Sequence, residues 1–244
     1  MFCRFLLPAF LLPALAAIAQ TADTLHTARD CNYMKPEERE MIHEINRVRS
    51  NPTSYLAYIE PMLKDALQYL KRYGRGQRNY SLTYTSRTNK DGTERKSIDT
   101  TWHYTNEEYV KALSTLLADL KKTKKLSVLQ PDSGIYLAAR RHAADNNEHN
   151  WKLLHTGSDG SLPWDRIRQF SPGMRFGNEN IAGRTGTPSP RDIVIQLLID
   201  AGIPGYGHRY NLLDPQWTHV ACALESFKGV MQYWIQDFGV IKKR

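Results

Sequence analysis

Cysteine is scarce in this chain, with three in 244 residues, one of them at position 3. A chain of this length can bury a sizeable core without cross-links, so a disulfide-dense scaffold is excluded. No paired Cys-x-x-Cys occurs, which removes the commonest structural zinc sites. Long apolar runs are also missing apart from one N-terminal stretch, so the chain is not a polytopic membrane protein. Charge is not one-sided: 33 Lys and Arg against 25 Asp and Glu leave a formal +8. That excess is too small and too dispersed to name a partner, and no nucleic-acid surface is expected. There is no internal repeat, low-complexity tract, P-loop, dinucleotide fingerprint or EF-hand loop. Gly157-Ser158-Asp159-Gly160 has the wrong spacing for a nucleophile elbow. His43-Glu44 begins like a metalloprotease helix, but Arg47 stands where the second histidine belongs.

What is present begins with residues 1–19. Arg4 precedes an apolar core from Phe5 to Ala16, and Ala17-Ile18-Ala19 is a small-x-small cleavage pattern. This is the layout of a secretory signal peptide, and the run is too short and too proline-broken to span a bilayer. The expected destination is extracellular or periplasmic, with no transmembrane segment in the mature chain. Two cysteines then remain, Cys31 and Cys222. A bond between them would tie the N-terminal segment to the C-terminal part and stabilise by about 4–5 kcal/mol in the chain-entropy picture. Alternatively, Cys222 is a small buried hydrophobe and Cys31 a free thiol.

Residues 20–35 carry no periodicity and are expected as an extended lead-in to a single domain over 36–244. Pro36 with Glu37 and Glu38 opens a predicted helix in which Met41, Ile42, Ile45 and Val48 fall in step. Asn51-Pro52 breaks it, and Thr53 is the expected cap of a second helix. Residues 71–104 turn polar and β-prone around Asn89-Lys90-Asp91-Gly92, which reads as an inserted hairpin. The insertion as a whole is expected at about 71–125. Thr105, Asp132 and the pair Ser189-Pro190 each start a further helix. Residues 151–188 are rich in Gly and Pro and read as loops. Two C-terminal strands, 218–225 and 230–238, are apolar on both faces and require layers above and below. The fold class is therefore α+β, built as a three-layer α–β–α sandwich.

The remaining chemistry is dispersed. His155 opens one Gly-rich loop, Glu179 lies in Gly177-Asn178-Glu179-Asn180, and His208 lies in Gly207-His208-Arg209-Tyr210. Two imidazoles and one carboxylate suit an open zinc site, but sequence spacing carries no proximity. The alternative is that each histidine is hydrogen-bonded in a core or a cap.

The order and flanks of these residues resemble the CAP superfamily of cysteine-rich secretory, antigen-five and pathogenesis-related proteins, most closely its bacterial SCP-like branch. The resemblance rests on His155-Thr156-Gly157-Ser158-Asp159-Gly160 with Asp165-Arg166-Ile167, and on Glu179-Asn180-Ile181-Ala182-Gly183. It extends to Leu198-Ile199-Asp200-Ala201-Gly202 and Gly207-His208-Arg209-Tyr210-Asn211-Leu212, followed by the two strands. It implies a sandwich with a cleft in which His155, Glu179 and His208 match three of the family's four residues. The fourth, a glutamate on the helix before the second histidine, is absent, and Asp200 is the nearest carboxylate. Three functions follow from that cleft. In the first, a secreted scaffold binds a lipid, sterol, glycan or protein, with the cleft also able to take a divalent metal or a small apolar ligand. In the second, a protease-like hydrolase uses zinc or another divalent cation held by His155, Glu179 and His208 to activate water. In the third, the trio is a structural network ordering the loops.

Overall fold

Buried apolar stripes with charged ends define most of the helices of the computed structural model, which describes residues 24–75, 80–88, 91–102, 105–149, 154–227 and 229–241. The expected signal peptide lies outside the described residues. In chain order the elements are α1 (Pro36–Ser50), a 3-10 turn (Pro52–Tyr55), α2 (Leu56–Tyr73), β1 (Tyr80–Thr88), β2 (Glu94–Trp102), α3 (Asn106–Lys122) and β3 (Gln130–Pro131). There follow α4 (Ser133–Glu148), α5 (Pro163–Phe170), β4 (Met174–Thr185), α6 (Pro190–Ile199), a 3-10 turn (Pro204–Tyr206), α7 (Gly207–Leu213), β5 (His219–Phe227) and β6 (Met231–Ile241). They fall into two units. The first holds the described residues of 1–50, 126–194 and 214–244, and the second holds 51–125 and 195–213. Among the described residues, no helix is long and apolar enough to cross a membrane.

The first unit is layered around a four-stranded sheet of order β3-β5-β6-β4, antiparallel except for the short β3–β5 pairing. Alternation along the strands assigns its two faces. Cys222, Gln236 and Asn180 are register partners on one face, where the Gln236 amide reaches the Met41 sulfur of α1 at 3.2 Å. Ala223, Ile235 and Ile181 are partners on the other, packed with Ala139 and Ala143 of α4. The three-layer arrangement and the α+β class read from the sequence are thus present. Glu38, in the first turn of α1, accepts from the Leu224 amide (2.9 Å) and from the Tyr136 hydroxyl (3.0 Å), joining the helix layers to the sheet.

Three expectations are corrected. Residues 24–35 are not extended: hydrogen bonds such as Cys31 N–H to the Ala28 carbonyl (3.0 Å) wind them through turns, because Ala28 and Met34 are buried. Cys31 and Cys222 are free thiols, not a disulfide. Cys222 points into the α1-facing core of β5 with no exposure, whereas Cys31 sits half-exposed in the turns. Residues 174–185, read as loop, form the edge strand β4. Its asparagines and glycines have weak strand propensity, and pairing with β6 along its length overrides that preference.

In the second unit, Thr105 caps α3 as expected. Its hydroxyl accepts from the Glu108 amide (3.2 Å) while Glu108 accepts from the Thr105 amide (2.6 Å), a full capping box. Thr53 does not cap α2; its hydroxyl donates to Asn51, and the 3-10 turn runs directly into the helix. β1 and β2 pair antiparallel from Tyr80↔Trp102 to Thr88↔Glu94, the hairpin expected there.

Candidate functional site

In the first unit the site is built around Glu179. Strand β4 carries it into the sheet face covered by α4 and α5, opposite Asp237 of β6. Helix α5 can lie close to this strand because residue 177 is glycine. A Cβ there would come within 2.5 Å of the Phe238 carbonyl oxygen and 2.7 Å of the Ile167 Cδ1. That close approach delivers Arg166, the neighbour of Ile167, to the carboxylate.

Glu179 is buried, and both of its oxygens are engaged. Oε2 accepts from Arg166 Nη2 at 3.0 Å, and Oε1 lies 2.9 Å from His155 Nδ1. Because a carboxylate only accepts, His155 donates from Nδ1 in this contact. The His155 side chain is 49% exposed. Arg166 is itself buried and closes the loop beneath the histidine. It donates to the carbonyls of His155 (3.0 Å) and Ser161 (2.7 Å). The same loop is pinned from α4 by Asp145, whose carboxylate accepts from both the amide and the hydroxyl of Ser158. Although partial burial pushes the Asp145 carboxyl up, these two bonds hold it below its ordinary range.

Two further ionisable groups face Glu179. His142 is fully buried on α4, with Nε2 at 3.7 Å from Oε1 and at 2.9 Å from the Leu154 carbonyl. Burial lowers its pKa and outweighs the pull of Glu179, so the ring is neutral and donates Nε2–H to Leu154. Asp237 is fully buried, and among the described residues neither of its oxygens has a hydrogen-bond partner at ordinary geometry. Burial first, and the nearby Glu179 second, push it well above the carboxylate range despite Arg166. Burial likewise raises the Tyr233 hydroxyl, so it stays protonated against the same cluster.

His208 and Asp200 meet in the second unit. Asp200 follows α6 with φ of 55°, a left-handed conformation that short polar residues tolerate. Its carboxylate accepts from the His208 amide (3.0 Å) at the start of α7, and its other oxygen is 2.7 Å from His208 Nδ1. Arg209 beside it is buried. It donates to the carbonyls of Leu198, Ile199 and Ala112 and pairs with Asp119 at 2.8 Å. The fold therefore brings His155 to Glu179 and His208 to Asp200. In both pairs a buried carboxylate holds the Nδ1 side of an imidazole, the arrangement that fixes tautomer and ring orientation.

Arg166, His142 and Asp237 were not among the candidate residues. Arg166 lies within the quoted Asp165-Arg166-Ile167. His142 reads as one more member of a helix face. Asp237 is an acid inside an apolar run, a signal the strand pattern conceals.

The sequence profile described as the Cysteine-rich secretory protein family, CAP, matches residues 13–238. The YkwD protein of Bacillus subtilis (strain 168) is 27% identical over 130 residues, 53% of this chain and 46% of the relative. The chain thus spans about half the length of that curated relative. Among solved structures, an outer surface protein from Borrelia burgdorferi aligns with a TM-score of 0.42 at 21% identity. That alignment covers 56% of this chain and 95% of that one. An extracellular SCP-domain protein from Bacillus anthracis str. Ames aligns at 0.39 and 16% identity, covering 73% and 71%.

Proposed function

The chain belongs to the CAP family of cysteine-rich secretory proteins, and from that premise we propose that it is a secreted binding scaffold whose His155 loop is held ready by a buried ion pair. The observation that carries this reading is the commitment of Glu179. One oxygen is bonded to the buried Arg166 and the other to His155. The Oε2–Arg166 bond is the costly one to exchange for a metal ion or a proton. Separating a buried, hydrogen-bonded ion pair costs about 3–5 kcal/mol. No hydrolytic step is derived through an ion on the Glu179 carboxylate, because its two bonds already serve the loop. Glu179 instead orients the imidazole, and Arg166 orders the loop. The secreted destination rests on the family and on the signal-peptide pattern of residues 1–19.

The ligand class this loop suits is apolar, a lipid or sterol. Leu154 and Leu162, at either end of the loop, are 51% and 53% exposed, and Trp164 follows half-buried on α5. Large apolar side chains held outward on an ordered loop mark a contact surface. Flotation with phosphatidylcholine vesicles, with and without cholesterol, tests this. The full chain is expected to float with one or both, and the Leu154→Ser/Leu162→Ser variant to float several-fold less. No flotation by the full chain, or flotation unchanged in the variant, contradicts the reading.

A further inference from the structure

A second cluster, away from the Glu179 network and unused by the proposed function, lies where the N-terminal turns meet α1. Glu40 and His43 are one turn apart on α1, so they share a face. His26 comes from the turn segment that precedes the helix. One ligand atom from each of His26, Glu40 and His43 lies within 4.8 Å of the other two. His43 Nδ1 is 3.2 Å from Glu40 Oε1, and His26 Nε2 is 3.8 Å from Glu40 Oε2. In a tetrahedral zinc site with bonds of about 2.0–2.2 Å, neighbouring ligand atoms stand about 3.3–3.5 Å apart. The two histidines approach different oxygens of Glu40 at distances near that spacing.

The cluster is held from beneath. Asn46, one turn further along the same helix and fully buried, donates to the Leu25 carbonyl and to the Thr27 hydroxyl, each at 3.1 Å. Thr27 in turn donates to the Leu129 carbonyl at 2.7 Å. The residues on both sides of His26 are therefore tied down, which fixes the ring against His43. The two imidazoles stack with centroids 4.7 Å apart and planes 2° from parallel, so one ring must turn for both lone pairs to reach a single ion. His26 Nδ1 is buried with no hydrogen-bond partner.

We propose that His26, Glu40 and His43 form a binding site for a first-row divalent transition cation of the zinc class. Two imidazole nitrogens and one carboxylate oxygen are the donor set such ions prefer, whereas Mg²⁺ and Ca²⁺ require oxygen-dominated shells. The Glu40 side chain is 47% exposed, so a fourth position is open to water. Bound there, the ion clasps the N-terminal turns onto α1.

Calorimetric titration of the chelator-treated full chain with ZnCl₂ tests the site. One equivalent is expected to bind with micromolar or tighter affinity, and His43→Ala to weaken it at least about tenfold. Glu40→Gln, at a half-exposed position where folding is not at stake, is expected to weaken it as well. Cu²⁺ is expected to bind more tightly than Zn²⁺, and Mg²⁺ not to compete. His155→Ala is expected to leave the titration unchanged. Millimolar binding by the full chain, unaltered affinity in both His43→Ala and Glu40→Gln, or loss of the zinc signal in His155→Ala would each overturn the proposal.

Discussion

Replacing Asp237 by asparagine should stabilise the protein at neutral pH and have little effect in acid. Asp237 is fully buried in β6, and among the described residues neither carboxyl oxygen has a hydrogen-bond partner at ordinary geometry. Burial and the facing Glu179 raise its folded-state pKa well above the ordinary value. In the unfolded chain an aspartate titrates near about 3.9. Below that pH both states are protonated and folding incurs no cost at this residue. Above it the unfolded chain releases a proton that the folded chain retains. Stability therefore falls as pH rises, by up to about 1.4 kcal/mol per unit, until the folded pKa is reached. Asparagine has nearly the same shape, carries no charge and has nothing to release. Urea unfolding of the wild type and Asp237→Asn at pH 4, 5, 6 and 7 measures the difference, and titrating groups that do not interact with residue 237 cancel in the comparison. The variant's advantage should be near zero at pH 4 and grow to a few kcal/mol at pH 7. An advantage independent of pH, or a variant weaker than wild type at pH 7, would refute the reasoning.

Arg166→Met should lower unfolding free energy by about 3–5 kcal/mol, since it leaves the buried Glu179 charge without its cation; chemical denaturation reads this directly. Gly177→Ala should cost about 1–3 kcal/mol, because the added methyl meets the Phe238 backbone carbonyl of β6, which cannot move aside as the Ile167 chain end of α5 can. The thermal midpoint should fall accordingly.

Much of the architecture was legible because local rules and tertiary packing agree. The apolar steps of α1, the Thr105 capping box and the doubly buried β5 and β6 each announce themselves in sequence. β4 did not, because its partner β6 stabilises a stretch of asparagine and glycine that has no strand pattern of its own. The Thr53 cap failed for a related reason: the 3-10 turn at Pro52–Tyr55 supplies the start of α2 without a side-chain oxygen.

The candidate site divides along the same line. The motif residues identified Glu179 and His155, but residue type alone suggested a metal ligand. The partner that changes this reading, Arg166, is one arginine on an eight-residue helix, delivered by the close approach that Gly177 permits. Asp200 was legible as a nearby carboxylate. Its bond to the His208 amide and ring depends on a left-handed turn that no periodicity reveals.

The most direct test of the account is whether the protein turns over what it binds. Lipid vesicles and an unstructured peptide substrate are incubated with the full chain, with and without chelator, beside His155→Ala, and products are followed by mass spectrometry. Association with vesicles that persists in chelator, with no cleavage of lipid or peptide, is expected. Cleavage that stops on adding chelator and is absent in His155→Ala would contradict it.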